Sequence, residues 1–579
     1  MAGPIQGFSG AIAGGGRYRI GILNLGSVCT CQSVLIRRGC TGGMELLMRR
    51  YGLTMLSLLA GLVPLGLPAV AAERIRFQFG ELSRDVSVPS LVTFTETGRV
   101  NPDLQSYFNL LKPQQQQSLR NLLNQSVPVT DVMASNFLST PLGKRSLQQL
   151  VKVLTQPPEI AEPALSSALI LGAAQSGELR LIDVLQAYPT RTLPVNVVAV
   201  LSLAQSLTQQ FNLQNKLFPR IASIQGEPAQ GPDLATLADK GAVAFTQTPF
   251  QFQGRFGDTI SAIAYIPNSA TSASPARLVL IAPGLNTDMN ALLYVGQQLA
   301  SHGYAVASLN FPFTSANTIK AAIQGTGAIP PANAWYGQPL SVSDLIDQMQ
   351  QRWGTKVNTA AVGVLGQSLG GYTVTALAGA ELDWPYLLKG CDELNDPDKV
   401  VLNPAVVWQC VAPGQVVQRK SFRDPRVKAA VAVNPVTNPI FSPTSLKAIA
   451  APILFVSGTG DIFAPPVSQQ LIPFTSIQQP GSLLALQHNG THLSFLDGTS
   501  ALPAVVIGPD QPLAREELKG MARAFFDEHL SNTPSAPPLA APTARSGVFS
   551  GSDPLRLLIT PRFSREQLNQ VDPGLKQFP

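Results

Sequence analysis

Apolar and polar residues alternate in two different textures along this chain. From residue 73 to about 217 the apolar positions recur at helical spacing, as with Phe108, Leu111, Leu119 and Leu122 inside the stretch 104–123. A second helical stretch covers 132–154, and Pro113, Pro141, Pro157, Pro158, Pro189 and Pro194 cut the pattern into separate helices. Residues 75–79 alternate strictly and predict one short strand at the start. This part holds no His, no Cys and no catalytic constellation, so it is expected to be a mostly helical accessory domain over 73–217.

Residues 218–240, with Pro219, Gly226, Pro228, Gly231 and Pro232 among polar neighbours, predict a linker. Beyond it the apolar residues gather into short runs at 242–250, 260–266, 278–282, 305–309, 361–365, 427–433, 453–456 and 483–486. Helix-like stretches separate the runs. The expected fold is therefore α/β, with a mainly parallel eight-stranded sheet covered by helices on both faces over 241–530. Such sheets bind ligands beyond the carboxyl ends of their strands, so the residues that follow each run become the candidates. A last amphipathic helix is expected at 518–530. Residues 531–552, rich in Pro, Ser and Ala, read as flexible, and the tail 555–578 either docks back or stays mobile.

Charge changes the picture at one end only. The 579 residues carry a net +6, of which Arg17, Arg19, Arg37, Arg38, Arg49 and Arg50 against Glu45 contribute +5 within residues 1–71. The rest is nearly neutral, which excludes the basic stripe that nucleic-acid binding needs. The leader reads as an export signal: Met48, Arg49 and Arg50, then an apolar stretch at 53–67, then the small residues Ala69, Val70 and Ala71 for cleavage near Ala71. The apolar stretch is short of the ~20 residues a span needs, and Pro64 interrupts it; an uncleaved anchor is the alternative. Residues 1–43 resemble neither signal nor domain, and Met44 or Met48 is the expected start. Export to the periplasm or beyond removes Cys29, Cys31 and Cys40. It leaves Cys391 and Cys410 as a candidate disulfide, with two buried thiols as the alternative. No Cys/His spacing fits a metal site.

The candidate chemistry begins at Gly366-Gln367-Ser368-Leu369-Gly370-Gly371, directly after the apolar run 361–365 and before an Ala-rich helix. Glycines flank the serine because a strand that turns abruptly into a helix brings backbone too close for side chains. A serine hydroxyl needs a base, and the base an orienting acid. Of the four histidines, His302 precedes the serine and His529 lies in the terminal helix. His492, in a loop beyond the run 483–486, is the expected base, with His488 as the alternative. Asp461, on the Gly-rich turn after the run 453–456, is the expected acid. Backbone N–H groups of Leu369 and of Leu285, in the turn after 278–282, are the expected oxyanion donors.

Residues 245–530 resemble the α/β-hydrolase superfamily, in particular the branch of platelet-activating-factor acetylhydrolases and dienelactone hydrolases. The resemblance rests on Pro283-Gly284-Leu285, on Ser301-His302-Gly303-Tyr304-Ala305-Val306 and on Gly366 to Gly371. Gln367 stands where that branch commonly has His, and Asn310 where an Asp often ends the strand. Residues 73–200 resemble an uncharacterised helical domain that precedes such hydrolases in exported bacterial proteins. The resemblance implies a serine esterase with no cofactor and no metal, using Ser368, Asp461 and His492. Inserts at this place commonly form lids, so the insert 381–426, with Trp384, Trp408 and both cysteines, is expected to cap the serine; a surface excursion unrelated to the substrate is the alternative. The expected substrate is a lipid-like or small acyl ester, with transient contact at a membrane surface. A thioesterase, amidase or peptidase would use the same residues. An inactive hydrolase-fold scaffold is the reading from another class.

Overall fold

The computed structural model describes residues 71–579 except 176, 226–232, 332–333, 398, 402, 412–419, 499–506, 509–510, 533–537, 540–546, 550–556, 562, 573–574 and 576–579. The expected export signal lies outside the described residues, apart from Ala71 at its cleavage site. The first strand, β1 (Arg74–Phe79), forms a hairpin with β2 (Leu82–Ser87) and pairs in parallel with β3 (Thr192–Asn196). Helices fill the space between β2 and β3. Four of them begin at a proline, Pro102–Phe108, Pro113–Asn124, Pro141–Leu150 and Pro158–Ala174. Proline is at home in the first turn, where its missing N–H has no intrahelical acceptor. Of the prolines that broke the sequence pattern, Pro113, Pro141 and Pro158 thus mark helix starts and Pro157 a cap, whereas Pro189 lies in a bend and Pro194 inside β3. Thr130 and Thr140 cap the next turns by accepting from Met133 and Gly143 N–H. Phe94 and Phe108 meet edge to face, with centroids 4.6 Å apart, at the centre of this small core.

The expected linker is corrected by the structure. The helix that starts at Val197 runs on to Gln225, through position 217 and Pro219. Its Leu217, Phe218 and Ile221 are buried in the core of the large sheet, and the short helix Leu234–Ala238 also buries Leu234 and Leu237. Pro219 kept its place because the helix supplies apolar burial on the turns around it. Ala69–Pro579 accordingly form one unit.

The large sheet holds ten strands: β4 (Phe245–Gln253), β5 (Thr259–Pro267), β6 (Ala276–Ala282), β7 (Ala305–Leu309), β8 (Val357–Gln367), β9 (Val427–Val433), β10 (Ile453–Gly458), β11 (Leu483–Gln487), β12 (Gly547–Phe549) and β13 (Leu557–Thr560). Their order is β12-β13-β11-β10-β9-β8-β6-β7-β5-β4. The six from β11 to β7 run parallel, and the pairs outside them are antiparallel. All eight runs read from the sequence became strands, but the sheet is mixed and two strands longer than the expected eight. One extra strand, β12, lies within 531–552, which was expected to be flexible; the other, β13, belongs to the C-terminal tail, whose Leu557, Leu558 and Ile559 are buried against β11. The tail docks because it covers an edge that would otherwise expose unpaired backbone.

Alternation along each strand splits the core in two. Leu278 and Leu280 of β6 join one face with the helices Gln338–Trp353 and Leu369–Ala378, while Val279 and Ile281 join the other with Leu293–Ser301 and Gln511–Leu530. Deleting most of the Ile559 side chain tests the tail's contribution. Ile559→Ala should cost about 2–5 kcal/mol, read as a lower denaturation midpoint with an unchanged slope.

Candidate active site

β8 turns into the helix Leu369–Ala378 within one residue. Ser368 stands at that turn with φ 56° and ψ −115°, a conformation that L residues rarely adopt. Its N–H donates to the Val433 carbonyl at 2.9 Å, and its carbonyl accepts from Tyr372 and Val436 N–H. The turn leaves no room beside it. A Cβ on Gly370 would fall 1.9 Å from the Ala282 carbonyl oxygen, and one on Gly366 2.2 Å from that of Gly370. The helix below is anchored by aromatics: Tyr372 stacks on Phe441 and donates its hydroxyl to the Tyr336 carbonyl. Burial pushes the phenols of Tyr336 and Tyr372 above their ordinary value, so both remain neutral.

Two further turns meet Ser368. His492 Nε2 lies 2.8 Å from Ser368 Oγ, and His492 Nδ1 lies 2.7 Å from Asp461 Oδ2. The other carboxylate oxygen, Oδ1, accepts from Phe463 and Ala464 N–H at 2.8 and 2.7 Å. Asp461 therefore has its acceptors filled on both sides and is completely buried. Because Nδ1 faces the carboxylate and donates to it, Nε2 turns its lone pair toward the serine hydroxyl. The turns that carry Asp461 and His492 press together backbone to backbone: Gly460 N–H donates to the Gly490 carbonyl at 2.7 Å. That contact explains the glycines on both sides of Thr459.

The alternative base, His488, is turned away and lies against the Phe218 ring at 5.1 Å. His302 Nε2 bonds the Asp239 carbonyl oxygen, and His529 sits on Phe525 inside the terminal helix. The turn 283–287 arrives on the other side of the serine, where a Cβ on Gly284 would lie 3.2 Å from Ser368 Cβ. Leu285 and Leu369, the residues expected to donate to an oxyanion, thus follow Gly284 and Ser368 in two turns that adjoin each other. Asn286 N–H donates to Thr314, Thr287 Oγ1 to Gly284, and Asn310 Oδ1 accepts from Met289. The amide at 310 is a loop anchor.

Cys391 and Cys410 form a disulfide. It joins the two helices of the insert, Trp384–Asn395 and Pro404–Gln409, and Ala405 N–H donates to the Phe463 carbonyl beside the acid. Phe463 is partly exposed, with its ring 5.6 Å from that of His492.

Sequence reasoning missed three positions. Asn434, at the end of β9 with φ 42°, donates to the Thr491 carbonyl and accepts from Gly458 N–H, so one amide spans the acid and base turns. Gln367 donates to the His492 carbonyl at 3.0 Å. Gln214, far earlier in the chain, donates to the Asp461 carbonyl at 3.1 Å. Asn434 follows a predicted strand and precedes Pro435, so its place at the strand tips was readable. Nothing local pointed to the partners of the other two.

The six parallel strands, the sharp turn at Ser368 and the placing of Asp461 and His492 after β10 and β11 decide the architecture. The fold is that of an α/β hydrolase. Residues 71–196 match the model of a family described as alpha/beta hydrolase of unknown function (DUF1400). The match falls on the helical region ahead of the large sheet. No curated protein matches the chain. Since the clearance at the turn is so small, Gly370→Ala should prevent normal folding. The expected result is loss of a cooperative thermal transition, measured by calorimetry.

Proposed function

We propose that this protein is an exported serine hydrolase that cleaves a carboxylic ester through an acyl-enzyme. One observation carries the reading: Ser368 Oγ, His492 and Asp461 lie in a continuous hydrogen-bonded line of 2.8 and 2.7 Å. In acylation Ser368 Oγ attacks the ester carbonyl carbon while its proton passes to His492 Nε2. Asp461 stabilises the resulting imidazolium and keeps its own charge. The carbonyl oxygen, now an anion, accepts from the Leu285 and Leu369 N–H groups, each worth about 10²–10³ in turnover. The positive end of the helix Leu369–Ala378 favours the same charge. Collapse breaks the bond to the leaving alkoxide, which takes the proton from Nε2. Water then attacks the acyl-serine with His492 as base, releasing the acid and restoring the hydroxyl.

The ester class is supported by the apolar side chains beside the base: Ile462 and Phe463 follow the acid and are partly exposed, with the Phe463 ring near that of His492. The chemistry they suit is a lipid-like or short acyl group. Export is supported by the Cys391–Cys410 bridge, which persists in oxidising compartments.

Ser368→Ala should lower turnover of p-nitrophenyl esters by about 10⁶-fold, and Asp461→Asn by about 10⁴-fold. Acyl lengths from acetyl to palmitoyl should show a preference, and thioester, anilide and peptide substrates run beside them separate the related activities. A fluorophosphonate should label the protein at Ser368. Inert purified protein, or equal labelling of Ser368→Ala, would defeat the proposal and favour a scaffold. Peptide mapping of exported protein without reduction should recover residues 391 and 410 in one linked fragment; alkylation of both thiols would contradict export with a bridge.

A further inference from the structure

The helix Val197–Gln225 begins at the end of the helical region and reaches the strand tips where the acid and base turns emerge. Leu217 and Ile221 hold it there, wholly buried in the sheet core, and the tail helix Arg565–Val571 packs along it. Gln214 lies one turn before Leu217 on the same face and is itself buried. Its Nε2 donates to the Asp461 carbonyl oxygen at 3.1 Å, and four residues on, Phe218 supports His488. The helix therefore touches the acid turn and the base turn together.

A second path runs from the helical region to the same place. Gln149 donates to the Leu394 carbonyl and accepts from Val401 N–H, while Lys152 Nζ donates to the carbonyls of Leu394, Asp396 and Lys399. These bonds grip the insert, and the insert grips the acid turn through Ala405 N–H and the Phe463 carbonyl. The turn 461–464 has no strand ladder of its own. Its carbonyls at 461 and 463 are held from outside, one by each path.

We propose that Gln214 is a positioning residue for Asp461, and that the helical region is a working part of the hydrolase because it supplies this hold. The proposal rests on reading Ser368, His492 and Asp461 as the catalytic line. Without the Gln214 N–H, a buried carbonyl loses its partner, and the turn shifts to recover one. A displacement on the order of 1 Å in such a group lowers turnover by about 10²-fold. Gln214 acts one step removed, so a smaller loss is expected.

Gln214→Met in the full chain keeps the side-chain length and removes the donor. Turnover and the rate of fluorophosphonate labelling should both fall about 10-fold, with KM within about twofold. The thermal midpoint should stay within about 2 °C. Hydrogen exchange should rise in the peptide spanning 459–466 and stay unchanged in the peptide spanning Ser368. That exchange readout needs no turnover. Raised exchange at the acid turn in a protein inert to fluorophosphonate would sink the triad reading and leave the coupling of helix to turn standing. Wild-type turnover with unchanged exchange at 459–466 would overturn the proposal. So would a loss of activity matched by a lower midpoint and raised exchange along the whole helix, which is the mark of a purely structural contact.

Discussion

A strand that becomes a helix within one residue is the constraint on which the rest of this structure depends. The φ of 56° at Ser368 lifts its Oγ clear of the sheet and points it into the space beyond the strand ends. A conformation of this kind costs about 1–3 kcal/mol and persists only when its surroundings over-determine it. Here the Ser368 N–H is fixed by Val433, the next strand of the sheet, and the following helix is fixed by buried aromatics. The tight approach of Ala282 and Gly370 brings the turn 283–287 to the serine as well. Everything on this face is arranged around a hydroxyl placed by backbone geometry.

The turns that meet that hydroxyl lie beyond the strand ends, where backbone groups have no ladder partners. Buried backbone that is left unpaired is costly, and here carboxamides fill the need. Gln469 and Gln470 bond the segment after β9, Gln409 ties Ala405 and Asn438, and Asn434 and Gln367 hold the base turn. Each amide offers a donor and an acceptor without adding charge. In a low-dielectric setting a further ion beside Asp461 and His492 would compete with their interaction. Neutral side chains secure the geometry and leave the field of the Asp461 carboxylate to His492.

The helical region is joined to this face by structure as well as by chain connectivity. Its last helix enters the sheet core, and its Gln149 and Lys152 replace partners that the end of the helix Trp384–Asn395 would otherwise lack. The tail helix Arg565–Val571 packs against the long helix as well. This mutual support explains why a linker inferred from Pro219, Gly226 and Pro228 turned out helical up to Gln225. Composition alone registers turn-forming residues, whereas burial of Phe218 and Ile221 is a property of the assembled core.

By itself the sequence determined the features that depend on short-range chemistry. Apolar runs located eight strands, glycines located the turn at Ser368, and chain order pointed to Asp461 and to the pair His488 and His492. Each of these follows from residues within one element and the tip after it, because strand periodicity and tight-turn sterics are local. Tertiary structure alone decided between His492 and His488, since both stand close to the end of β11 and only the packing of Phe218 shows where the second ring goes. It also decided that the segment 531–552 and the tail add one strand each, that Asn434 spans two turns, and that Gln214 reaches Asp461 across 247 positions. A buried amide bonded to a backbone carbonyl has no pattern in the sequence, because its partner is chosen by the fold and not by its neighbours.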